Sequence, residues 1–98
     1  MLIGPFHVGD KPADALDLQV SRPGDDTPLS GFTACQFELM PPDRVLVSWA
    51  GALVQPDIAR TTWQTAFTQA GLHRVRAKLT GPGSIQEYTG WVRFWVRP

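Results

Sequence analysis

Nine prolines and nine glycines are spread through 98 residues, and they fall between short stretches in which apolar and polar residues alternate. Pro removes a backbone donor and Gly tolerates turn conformations, so such punctuation cuts a chain into brief strands. No stretch of ten or more residues carries a helical period. The sequence therefore predicts an all-β fold of about seven strands. At this length folding hides roughly 60–65% of the unfolded chain's surface, enough for one modest core. Residues 1–98 are expected to form a single domain.

The alternation assigns the inward positions. "ALDLQV" turns Leu16, Leu18 and Val20 inward. "FTACQFELM" does the same with Cys35, Phe37 and Leu39, and "RVLVSW" puts Val45, Val47 and Trp49 on one face. "AGALVQPDIAR" reads as a loop, a short strand or one helical turn. "TTWQTAF" alternates Trp63, Thr65 and Phe67 and is expected to be a strand. "LHRVRAKLT" sets Val75, Ala77 and Leu79 against Arg74, Arg76 and Lys78. "IQEYTGWVRFWVRP" sets Tyr88, Val92, Phe94 and Val96 against Glu87, Thr89, Trp91, Arg93, Trp95 and Arg97. Two packed antiparallel sheets would use all of these faces. "MLIGPFHV" fits an edge strand or arm, because Pro5 cannot donate to a ladder.

Charge and cysteine content narrow the chemistry. Nine basic and nine acidic residues cancel, so nothing in the total calls for a nucleic acid or an acidic membrane surface. The lone Cys35 leaves no disulfide framework and no Cys-based zinc site. At an inward strand position it reads as a small hydrophobe. His7 and His73 lie in no motif. The aspartates mostly flank Gly or Pro, where Asp bonds nearby backbone N–H groups. "GDD" lacks the spacing and closing Glu of a calcium loop. No segment reaches the length of a membrane span, and the N-terminus lacks the positive start of a signal peptide. The expectation is no catalytic residue, no metal and no cofactor.

The last hairpin exceeds a plain fold signal. With "GPGS" as its loop, Arg74 falls opposite Trp91 and Lys78 opposite Glu87. Its outer face then mixes Trp91, Arg93, Trp95 and Arg97 with Arg74 and Arg76. Arg planes stack on Trp faces, so this could be a self-satisfied ladder. Trp and Arg also dominate interface hot spots, which makes Trp91, Arg93, Trp95 and Arg97 the candidate protein interface. Exposed Trp faces would also suit stacking on sugars. The "MLIGPF" arm is a second candidate contact, by adding to a neighbour's sheet edge.

Four segments carry a resemblance. "VGD" (Val8 to Asp10) follows an apolar strand, and "PLSG" (Pro28 to Gly31) precedes "FTACQFELM". "TTWQTAF" leads through an "AG" turn to "LHRVRAKLT", and the chain closes on "WVRFWVRP". In this order they resemble the Ig-like β-sandwich domain of tailed-bacteriophage virion proteins, in particular the N-terminal domain of baseplate upper (BppU-type) proteins. The resemblance implies an Ig-like antiparallel β-sandwich that makes assembly contacts in a virion. Its partners would be other virion structural proteins, in multiple copies of a symmetric assembly, after synthesis in the bacterial host cytoplasm. It implies no catalytic residues. Family members are often longer, so this chain would be the bare module.

Overall fold

The computed structural model describes residues 3–98. Its strands are β1 (Phe6–His7), β2 (Leu16–Gln19), β3 (Ala34–Met40), β4 (Val47–Val54), β5 (Ile58–Thr61), β6 (Gly71–Thr80), β7 (Gln86–Tyr88) and β8 (Val92–Arg97). The expected "GPGS" loop contains a single 3₁₀ turn, Pro82–Ser84. The fold is all-β. Hydrogen bonding runs β1-β8-β6-β3-β4-β5-β2, with β7 also paired to β6.

The sheet is mixed rather than wholly antiparallel, because β1 pairs with β8 in parallel, Phe6 beside Val96. The two strands lie at opposite ends of the chain, so no tight hairpin forces them antiparallel. After β1 the chain turns away at Gly9-Asp10. Gly9 sits at φ 95°, where an L side chain is strained, and the Asp10 carboxylate accepts the His7 N–H at 2.9 Å. The "VGD" segment is thus a turn that sends the chain on toward β2.

The sheet curls on itself along β4. Val47–Gly51 pairs with β3 and Ala52–Val54 pairs with β5. Gly51 stands at the changeover. A Cβ there would lie 2.6 Å from Phe37 Cε1 and 3.0 Å from the Arg60 carbonyl oxygen, so only glycine lets the two limbs approach this closely. The ambiguous "AGALVQPDIAR" is therefore the second half of β4, a turn and β5.

One apolar interior fills the curl. Leu16, Leu18 and Val20 from one limb meet Cys35, Phe37, Leu39, Val75, Ala77, Leu79, Phe94 and Val96 from the other. These are the positions that the period of two assigns inward. Two expectations are corrected. "TTWQTAF" is not a strand. Trp63 and Phe67 are buried, but the segment crosses irregularly to the Gly9-Asp10 turn, where Phe67 N–H donates to Asp10 O at 2.9 Å. Aromatic packing replaces a ladder there, with Trp63 and Phe67 edge-on at 5.2 Å and both within 5.8 Å of Phe6. Val45 does not lie in a strand with Val47 and Trp49 either, since β4 begins at Val47. Arg44 takes φ 64° and the Asp43 carboxylate caps the Val45 N–H at 2.9 Å, so the turn runs on and Val45 stays 63% exposed.

Candidate contact surface

The hairpin of β6 with β7 and β8 does not keep the register that a uniform alternation predicts. Lys78 faces Tyr88 and Leu79 faces Glu87, while Arg74 faces Arg93 and Val75 faces Val92. The offset changes by one residue between β7 and β8. Thr89 N–H donates to Ala77 O at 2.9 Å, so Gly90 and Trp91 together oppose the single residue Arg76. This is a β-bulge. The Thr89 hydroxyl accepts the Ala77 N–H at 2.9 Å and keeps that donor satisfied.

The bulge re-aims side chains. Tyr88, expected inward with Val92, is exposed. Tyr88 and Trp91 instead hold the Arg76 guanidinium between them, its carbon 3.9 Å and 4.2 Å from the two ring centroids. Arg76 Nε also donates to Glu38 Oε1 at 2.8 Å across β3. Gly90 inside a strand pattern was the available signal for this bulge.

The four candidate interface residues therefore divide. Trp91 is half-buried and its ring face is occupied by Arg76. Arg93, Trp95 and Arg97 alternate outward along β8 and are exposed, Trp95 by 62%. Among the described residues the ion pairs are Arg22–Glu87, Arg60–Asp17 and Arg76–Glu38, so Arg74, Arg93 and Arg97 have no carboxylate partner. Arg74 and Arg93 face each other directly, an arrangement of like charges that weakens a sheet on its own. Beside Trp95 lies an open, mainly apolar groove of about 550 Å³, walled by Ile3, Gly4, Pro5, Gly71 and Pro98. Of the "MLIGPF" arm, Met1 and Leu2 lie outside the described residues, and Phe6 is packed against the interior.

The reactive side chains are dispersed. Cys35 is buried, and burial pushes its thiol pKa up. His73 is buried between rings, stacked on Phe94 with centroids 5.4 Å apart, with Nδ1 3.1 Å from Gly71 O. Cys35 pairs with Leu79, six residues along β6 from His73, which separates thiol and imidazole by roughly 20 Å at the rise of a strand. In "GDD", the Asp25 carboxylate accepts the Thr27 N–H at 2.9 Å, as in an Asx turn. Among the described residues no three His, Cys, Asp or Glu side chains are grouped to hold a metal, and no helix is long and apolar enough to cross a membrane. No protein-family model, curated protein or solved structure matches this chain.

Proposed function

We propose that this chain is a binding module without catalysis, whose contact face is Arg93, Trp95 and Arg97 of β8 with Arg74 of β6. The observation that carries the reading is a largely exposed Trp95 flanked by arginines that form no ion pair among the described residues. Trp supplies apolar contact area, and the arginines call for a partner surface bearing carboxylates. Trp91 then acts as a positioning residue by holding Arg76, rather than as a contact.

The setting proposed is a tailed-phage virion, as a baseplate, tail, neck or capsid-surface component. That part of the reading is supported by the sequence resemblance alone. In a symmetric particle, weak contacts multiplied by copy number give strong attachment. An Ig-like description of the fold has support in the pairing order. β6 flanked by β3 and β8, and β2 paired with β5, match the C-F-G and B-E neighbours of that fold, while the parallel β1 departs from an all-antiparallel sandwich.

The test is Trp95→Asp together with Arg93→Glu. Both variants should keep the wild-type circular dichroism. Trp95→Asp should keep the wild-type melting temperature, and Arg93→Glu should have an equal or higher one, because position 93 then faces Arg74 as an opposite charge. Both should nonetheless fail to enter particles when co-expressed with the other structural proteins. Normal incorporation would remove this face from consideration. A carbohydrate-binding reading has one observation in its favour, the groove beside Trp95. Binding on a glycan array that is lost in Trp95→Ala would replace the protein-contact reading with it.

A further inference from the structure

A second surface, independent of the β8 face, lies on β4. Because the sheet changes limbs at Gly51, β5 covers only the later part of β4. Among the described residues, the edge of Val47–Trp49 that points away from β3 has no strand beside it. The orientation of its hydrogen-bonding groups follows from the ladders. Val20 N–H donates to Asp57 O, which fixes 57, 59 and 61 as the β5 residues that bond toward β2. Residues 58 and 60 then bond toward β4, at Val54 and Ala52. The alternation carries along β4, so even-numbered residues address the β5 side and odd-numbered ones address β3. In keeping with this, Ala50 O accepts the Thr61 hydroxyl at 3.3 Å. Ser48 is the next even residue. Its N–H and C=O face the open side.

The side chains along this edge are uncharged from Val45 to Trp49. Val45, Leu46 and Val47 are consecutive and 63%, 45% and 37% exposed. Sheet edges of this kind are normally blunted by a charge, a proline or a covering segment. The open run is also bounded at both ends. Arg44 at φ 64° breaks the extended chain on one side, and Thr61 occupies Ala50 on the other. Its midpoint is Val47.

We infer that this edge is the site of self-association, in which β4 of a second copy pairs antiparallel with β4 about a two-fold axis through Val47. That register places Leu46 opposite Ser48 of the second copy, twice, and the even-numbered groups that face outward become mutual donors and acceptors. It sets Val47 against its own copy and, by extending β4 back over Leu46 and Val45, which precede the strand in the single chain, sets Val45 against Trp49. Arg44 falls opposite Ala50, so no like charges meet. A bounded, uncharged segment with outward groups on either side of its centre complements itself, as an isologous contact requires. The product is one sheet continuous through two molecules, with both β8 faces left free.

The experiment is sedimentation velocity on the full chain from about 10 µM to about 1 mM, where small interfaces associate. The expected result is a concentration-dependent doubling of the 10.8 kDa mass. Val47→Lys opposes two ammonium groups across the axis and should weaken association at least about tenfold. Trp95→Asp should leave it unchanged. A wild-type monomer throughout the range overturns the inference, as does a dimer that survives Val47→Lys and is lost in Trp95→Asp. Hydrogen exchange on the wild type gives a readout that does not depend on any variant folding. The Ser48 amide should slow as concentration rises, while the Val47 amide, bonded to β3, should not. A Ser48 rate independent of concentration also overturns it. Failure here leaves the β8 reading standing, because that reading is tested by Trp95→Asp in particle incorporation.

Discussion

The guanidinium carbon of Arg76 lies 4.2 Å from the centroid of the Trp91 ring, with Tyr88 closing its other side at 3.9 Å. Arg76 is also the one residue that the Gly90-Trp91 bulge opposes. The bulge and the stack are therefore a single device. The extra residue brings Trp91 over the arginine, and Glu38 holds the arginine's other end at 2.8 Å. A planar cation between two aromatic faces gains from both quadrupoles and loses little water that the carboxylate does not replace.

From this it follows that two tryptophans four residues apart should respond differently. Trp91→Ala should destabilise the domain by about 1–2 kcal/mol, the scale of a partly desolvated cation–π contact. Trp95→Ala should change stability by no more than about 0.5 kcal/mol, as exposed substitutions do. Urea denaturation of the two variants against wild type measures both. Equal losses would mean that Trp95 packs against the domain as Trp91 does.

A pH effect is expected from Asp17. Arg60 donates to both of its carboxylate oxygens, at 2.7 and 2.8 Å, and this pairing holds the Asp17 pKa below its ordinary 3.8. A depressed carboxylate pKa means that the folded state binds its proton less readily than the unfolded chain. The stabilisation is then present above 3.8 and is lost as pH falls from there through the lower folded value. Asp17→Asn should remove that part of the acid slope and leave the neutral-pH slope unchanged. Melting temperatures of both proteins between pH 6 and pH 2 make the comparison.

Cys35 should be inert in the native state. Its side chain is buried on β3 and the surrounding apolar groups disfavour the thiolate, the form that reacts. Labelling by a thiol-specific disulfide reagent should be slow in buffer and complete promptly in denaturant. Fast native labelling would show that β3 opens locally.

The inward positions were legible because a strand's period is fixed at two. Leu16, Leu18, Phe37, Leu39, Val75, Ala77, Leu79, Phe94 and Val96 are all buried where the alternation puts them. Pairing was less legible. The parallel partner of Phe6 is Val96, ninety residues on, and no local pattern names it. The bulge was marked only by Gly90, and without it the register slips by a residue and Tyr88 is turned the wrong way. Trp63 and Phe67 show the opposite failure, a strand-like alternation that packs rings without forming a ladder. Of the candidate contact, Arg93, Trp95 and Arg97 were readable as an outward face. That Trp91 is held by Arg76 was not, because it depends on the bulge.

The curl of the sheet should be the feature least tolerant of a small change. At Gly51 an added methyl carbon would stand 2.6 Å from Phe37 Cε1 and 2.7 Å from Cδ1, well inside van der Waals contact. Phe37 cannot swing aside, since it is fully buried at the centre of the interior between β4 and β6. The third neighbour, the Arg60 carbonyl oxygen at 3.0 Å, belongs to the β5 backbone and is equally fixed. Gly51→Ala must therefore push the limbs apart, an overpacking that costs about 1–3 kcal/mol in a filled core. Its strand propensity would otherwise favour the change, because Gly is the poorer residue in a strand interior. The sign of the result thus decides between packing and propensity. A fall in melting temperature in Gly51→Ala, partly restored by Phe37→Leu in the same chain, would establish that the methyl and the ring compete for one space. A rise would mean that the two limbs do not close on each other at this point.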